Sequence, residues 1–442
     1  MSLAPQKIDK LRALLSGLPG DMAARLCRAA GQGDPSLGRL LDYCRTDADS
    51  AARARFFAPL EPVSGRPGDD RPSRCWAPEG LQAKVWAWLS EDLAPDLIEQ
   101  VRAASALHAA DPAEGALDAY RRDAAGLIEK TIKSLAEEPK RDKRLKARLG
   151  VTEYDAVLRI ASLLRSAPVL RDALAGLPDP IVDLTEKLSA TIRDRYDAAV
   201  EADPDAAVWA LFVIMARLDR PWRMLRVFER ISHREDDLLV SQTDMSHIGE
   251  ALLADAEHHL AGFAAAPATL AEAADAAQAL ADFSAVTVGM TREIGIRKDG
   301  AWGKRLYELR GRASAQMEQI FEIARDVLGR ATPEAGGLKG RTGARDGENL
   351  PERARALARF LLLSRDDAGR AAVGGAHGRL VEEVGERLET AGAKTLEKLK
   401  SGEGDAAKAF ARLEEIAALM EALGEHEAGQ VLLRRSAAAL AA

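Results

Sequence analysis

The sequence predicts an all-α protein, and three observations carry that expectation. Alanine and leucine dominate, β-branched residues are sparse, and aromatics make up 5% of the 442 residues, a composition that favours helix over sheet. Apolar residues recur at helical rather than alternating spacing along most of the chain. Asp-Pro pairs recur at Asp34, Asp111, Asp179 and Asp203. In such a pair the aspartate can accept the first free amide hydrogen bonds and the proline is preset for the first helical position, so the four read as helix starts. A chain of this length is long for one core, and the fold class reads as an irregular, solenoid-like array of helical hairpins or as linked helical bundles.

Residues 1–57 read as three short helices. Residues 58–80, "APLEPVSGRPGDDRPSRCWAPEG", hold prolines and glycines that cannot continue a helix, and read as a linker pinned by Phe56, Phe57 and Trp76 at its margins. Residues 81–330 form the expected main array. There Leu81, Val85, Trp88 and Leu89 share one face, and Leu127, Ile128, Ile132 and Leu135 share another. "AAVWALFVIMARLDRPWRMLRVFERI" reads as an antiparallel hairpin turning at "LDRP", with Trp222, Leu225, Phe228 and Ile231 on its second helix. No fixed repeat of about 34 or 40 residues is found, and the tetratricopeptide pattern is missing. Residues 331–351 read as a mobile, glycine-rich linker, and residues 352–442 as a small C-terminal bundle. Its stripes run through Leu380, Val384 and Leu388, then Leu413, Ile416, Leu419 and Leu423 after a restart at Asp405.

Charge and cysteine usage narrow the function classes. Charged residues make up 30% with both signs interspersed and a net charge of −7, which favours neither disorder nor a nucleic-acid partner. Cys27, Cys44 and Cys75 form no C-x-x-C pair, and a reducing, cytoplasmic setting is expected. The first residues read as an amphipathic helix rather than a signal peptide. The longest apolar run, Ala206–Ala216, is about half of the roughly 20 residues needed to cross a bilayer, so a buried helix is expected and membrane insertion is not.

Two stretches hold candidate functional residues. In "TDMSHIGEALLADAEHH", residues 243–259, Asp244 precedes His247 and Asp255 precedes His258 by three positions each. Both pairs fall on one flank of a helix, roughly 16 Å apart, too far to share an ion. With Glu229 and His233 they make up the candidate metal set Glu229, His233, Asp244, His247, Asp255 and His258. The plainer reading is a polar helix flank with Asp244 as its cap and His259 at the apolar boundary. In "TREIGIRKDGAWGKRLYELRGR", residues 291–312, Trp302 and Tyr307 lie among Arg297, Lys298, Lys304 and Arg305. Those six residues are the candidate interaction surface, for an acidic protein, a phosphate-bearing ligand or an anionic membrane face. The plainer reading is an interhelical turn with a packed tryptophan. A second basic run, "KRDKRLKARLG" at 140–150, has no interleaved aromatic and reads as a solvated helix.

No phosphate loop, dinucleotide fingerprint, nucleophile elbow or paired-histidine zinc motif occurs. The expected function is a non-catalytic cytoplasmic scaffold or adaptor for another protein, with no cofactor and a possible homodimer through 352–442. The alternative is a helical metal-binding protein or metalloenzyme that uses the set around residues 229–259. A third reading is peripheral contact with an anionic membrane through the basic stretches, against which stand the negative overall charge and the lack of a strongly apolar-faced basic helix.

Overall fold

The computed structural model describes residues 49–65, 71–106, 111–227, 246–332 and 349–441. Among these the regular elements are helices, with two isolated β-bridges and no strand, so the chain is all-α as expected. None of these helices is long and apolar enough to cross a membrane. The chain divides into two units, Met1–Ile231 and Ser232–Ala442. The division falls inside the expected 81–330 array, whereas the expected 331–351 boundary lies within the second unit.

In the first unit a helix at 49–57 runs into a 3-10 turn, Ala58–Val63. After it come α1 (Glu79–Trp88), α2 (Pro95–Ala106), α3 (Asp111–Ser134), α4 (Pro139–Leu149), α5 (Asp155–Arg165), α6 (Ala167–Leu174), α7 (Glu186–Ala202) and α8 (Pro204–Arg217). A π turn at Leu89–Leu93 ends α1, and Pro95, which lacks an N–H to continue the ladder, opens α2. The described parts of stretch 58–80, residues 58–65 and 71–80, are built into the core of this unit rather than linking domains. Leu60 and Val63 are fully buried, and the Val63 carbonyl accepts from the amides of Trp76 (2.7 Å) and Ala77 (2.9 Å). Its prolines bar an α-helix without barring burial. Phe56 and Phe57 meet edge to face at 5.1 Å and both pack on Trp86, the pinning role their position suggests.

The Asp-Pro signals divide. Asp203 caps α8 by accepting from the Asp205 amide at 3.1 Å, and α3 starts at Asp111. Asp179-Pro180, in contrast, starts no helix. The residue after it, Ile181, bridges to Leu218, with Ile181 N donating to Arg217 O (2.8 Å) and Asp219 N donating to Ile181 O (3.0 Å). Tertiary pairing has overridden the local start signal. Past α8 the expected hairpin shows a 3-10 turn at Pro221–Arg223 and helix at 224–227; Phe228 and Ile231 lie outside the described residues, as does Asp34. Leu127 is 37% exposed, unlike the other three residues of its predicted face.

A polar network ties the first unit together. Arg121 is fully buried and donates to the carbonyls of Phe56 (2.9 Å) and Arg55 (2.8 Å), closing the end of helix 49–57, and to Glu114 and Asp118 at 2.6 Å each. Arg171 of α6 forks onto the same Asp118 at 2.7 and 2.5 Å. Burial pushes the Asp118 carboxyl up, but hydrogen bonds from Arg171 and Arg121 and their charges outweigh it and leave the group below its ordinary value.

The second unit holds α9 (Ser246–Gly262), α10 (Leu270–Glu293), α11 (Ala301–Ala331), α12 (Leu350–Leu363), α13 (Arg365–Arg370), α14 (Gly374–Ser401), α15 (Ala406–Leu423) and α16 (His426–Ala441). Its packing is layered. Helices α9, α11, α14 and α16 each pack on the next and form one layer; α10, α12 and α15 do the same and form the other. Each of α9, α11 and α14 also packs on the second-layer helix that follows it. This is a stack of three αα-hairpins closed by α16, in which each hairpin buries its apolar face on its neighbour. Residues 352–442 are therefore not a separate bundle, because α12 packs on α10 and α11. Local chemistry sets the turns. Thr269 accepts from the Glu272 amide (3.2 Å) while the Glu272 carboxylate accepts from the Ala268 amide (2.8 Å), opening α10. Gly424, at φ +99°, supplies the left-handed residue between α15 and α16.

Candidate functional site

The 291–312 stretch forms the end of α10, a short loop and the start of α11. Ile294 is buried beneath the loop, and the Arg297 carbonyl accepts from Gly300 N at 3.1 Å. Gly303 permits this fold-back, since a Cβ there would lie 1.8 Å from the Arg297 carbonyl oxygen. The expected Gly-Ala-Trp-Gly turn is thus the first turn of a helix, and Trp302 is 1% exposed. Its indole fills the space left by Gly249 of α9 and donates to Glu250 at 3.1 Å. Trp302 cannot serve as a surface anchor. It packs α11 onto α9, a burial of about 3 kcal/mol.

Arg305 is also engaged internally. Its guanidinium bridges Glu250 and Glu257 on α9, the latter at 2.9 Å. The Arg305 hydrogen bond holds the Glu257 carboxyl below its usual range, and it raises the affinity of Arg305 itself for its proton. Arg297 pairs with Asp299 at 3.0 Å on the loop surface. The hydrogen bond from Arg297 is the main cause that holds the Asp299 carboxyl below its usual range, and the charge of the exposed Lys304 adds a smaller share.

What this stretch does present is Tyr307. The residue is 41% exposed, and its ring centroid lies 5.1 Å from the Lys298 ammonium and 5.8 Å from the Arg310 guanidinium. Arg310 is held in place by donating to the Thr287 carbonyl of α10 at 2.8 Å. The arrangement is an aromatic ring in cation–π range of two cations, with a third cation, Lys304, one turn back on the same helix. Of the six predicted surface residues, Lys298, Lys304 and Tyr307 form this face, Arg297 sits beside it with Asp299, and Trp302 and Arg305 join helices. Glu250, Glu257 and Gly249 complete the junction and were not singled out from sequence. Their partners lie 48 to 55 residues away in the chain, beyond any local pattern.

The predicted metal set is only partly described. Glu229, His233 and Asp244 lie outside the described residues. His247 and His258 are exposed on α9, whereas Asp255 is 1% exposed, so the helix turns the second Asp-His pair to different surroundings. His259 is buried, as expected of a boundary histidine, with its ring 5.6 Å from that of His258. Among the described residues no group of three His, Cys, Asp or Glu side chains is placed to hold a metal ion.

A groove of about 500 Å³ lies between α12 and α15, with Arg330, Arg355 and Arg412 on its walls. Arg412 pairs with Glu415 at 2.8 Å and donates to the last carbonyl of α11, Ala331 O, while Arg330 pairs with Asp326 at 3.1 Å. Most of its positive charge is therefore neutralised locally. No protein-family model, curated protein or solved structure matches the chain.

Proposed function

We propose that the chain is a non-catalytic helical scaffold or adaptor that holds a partner protein against the outward face of α11 around Tyr307. The observation that carries this reading is the two-layered stack of the second unit. Stacked hairpins offer long, rigid surfaces on which residues distant in sequence stand side by side. Tyr307 supports the location, because a braced, part-exposed aromatic is the kind of anchor around which protein interfaces form. Lys298 and Lys304 beside it favour a partner that presents carboxylates. The cytoplasmic setting, read from the scattered cysteines, belongs to the same proposal, as does self-association through residues 352–442. The latter is supported by Leu433 and Leu440, 37% and 53% exposed on α16.

The test is quantitative affinity capture from the native cell, with wild type beside Tyr307→Ala/Lys304→Glu. The reading expects one partner at near-stoichiometric yield. It expects binding to fall about tenfold or more in the variant, the equivalent of about 1.4 kcal/mol. Equal capture by both chains would refute it.

A further inference from the structure

α4 carries six cations and one acid in 11 residues, and the fold treats those cations unequally. Arg148 is held by Glu91 (2.6 Å), Asp92 and the Ala87 carbonyl (3.2 Å). Lys146 faces Asp142 (3.4 Å) and Glu153 (3.7 Å) and lies over the Tyr154 ring. Arg141 reaches Glu138 at 3.5 Å. Lys140, Lys143 and Arg144 remain exposed and, among the described residues, have no hydrogen-bond or ion-pair partner. With Ala147 they occupy positions i, i+3, i+4 and i+7, which is one side of the helix. Leu145 and Leu149, both buried, hold the opposite side to the unit. The result is a fixed helix whose outward face is an unneutralised line of positive charge.

We propose that this face docks an acidic helical segment of a partner protein. Charge complementarity argues for that occupant. Neighbouring positions at these spacings stand roughly 5–6 Å apart, which matches carboxylates placed at i, i+3 and i+4 on a facing helix. A nucleic acid fits less well, because no aromatic on the face could stack a base and the whole chain carries −7. A lipid surface fits less well too, since Ala147 is the face's one apolar residue and nothing there would enter an acyl layer. The surface lies in the first unit, so the proposal stands or falls independently of the Tyr307 reading.

The test is zero-length carbodiimide coupling of the full chain to a synthetic alanine-based helix with glutamates at i, i+3 and i+4, at low salt, mapped by mass spectrometry. Coupling is expected to concentrate on Lys140 and Lys143 over the exposed Lys84, Lys130 and Lys133. It should fall about threefold or more in Arg144→Glu, stay unchanged in Arg434→Glu, and vanish at about 0.5 M salt. Coupling spread evenly over exposed lysines, or unaltered by Arg144→Glu, would overturn the proposal. So would equal displacement of the peptide by duplex DNA or anionic vesicles, which would mark a generic polyanion surface.

Discussion

Replacing Gly249 by alanine tests the α9/α11 junction, because two opposing effects of known size meet there. In a helix interior Gly→Ala alone stabilises by about 1 kcal/mol. At this position, however, the new Cβ would lie 2.1, 2.3 and 2.5 Å from Cζ2, Cε2 and Cη2 of Trp302, where carbon atoms need about 3.5 Å. The indole cannot simply swing aside, since it is 1% exposed and its N–H is bound to Glu250. Overpacking of this kind costs about 1–3 kcal/mol; displacement of Trp302 would add part of its burial energy. The net expectation is a loss of roughly 1–2 kcal/mol. Gly311, on α11, has nothing within 4 Å of its would-be Cβ, so Gly311→Ala should gain about 0.5–1 kcal/mol. Hydrogen-exchange mass spectrometry across a urea series reads peptides of α9 and α11 separately from those of the first unit. Opposite signs for the two alanines are predicted. Protection at Gly249→Ala equal to or above wild type would refute the packing argument.

Two further outcomes follow from the structure. Asp118 has a folded-state carboxyl pKa depressed by Arg171 and Arg121, so its stabilisation is complete above the unfolded carboxylate range and lost as pH falls through the lower folded value. The first unit should therefore weaken below about pH 4. Asp118→Asn, which leaves buried Arg121 short of a partner, should cost about 3 kcal/mol at neutral pH and flatten this acid dependence; an unchanged melting-against-pH curve would contradict the network. For self-association, sedimentation velocity should show a concentration-dependent dimer that Leu433→Glu/Leu440→Glu abolishes, and a wild type that stays monomeric at all concentrations would contradict it.

Fold class was readable because helical periodicity and composition are local properties. The same holds for the caps at Asp203 and Asp405, each of which accepts amides of its own first turn. What failed were signals that long-range contacts override. Asp179-Pro180 carries a helix-start pair, yet the next residue is taken by Leu218. The 58–80 stretch looks like a linker by composition, yet Leu60 and Val63 anchor it in the core. A hairpin array was legible in the sequence but its pairings were not, because the helices differ in length, with 31 residues in α11, 14 in α12 and 28 in α14, so no sequence period marks the stacked units. At the candidate surface the chemistry was legible and the geometry was not. Sequence placed two aromatics among cations, but only packing against Gly249 decides that Trp302 turns inward and Tyr307 outward.

The most direct test of the central claim, that a partner seats on the α11 face, is amide hydrogen exchange of the full chain alone and in its purified native complex. The account predicts added protection in peptides covering 294–312, centred on Tyr307, with little change in the buried α9 segment behind it. A stable complex that leaves 294–312 exchanging as in the free chain would contradict it.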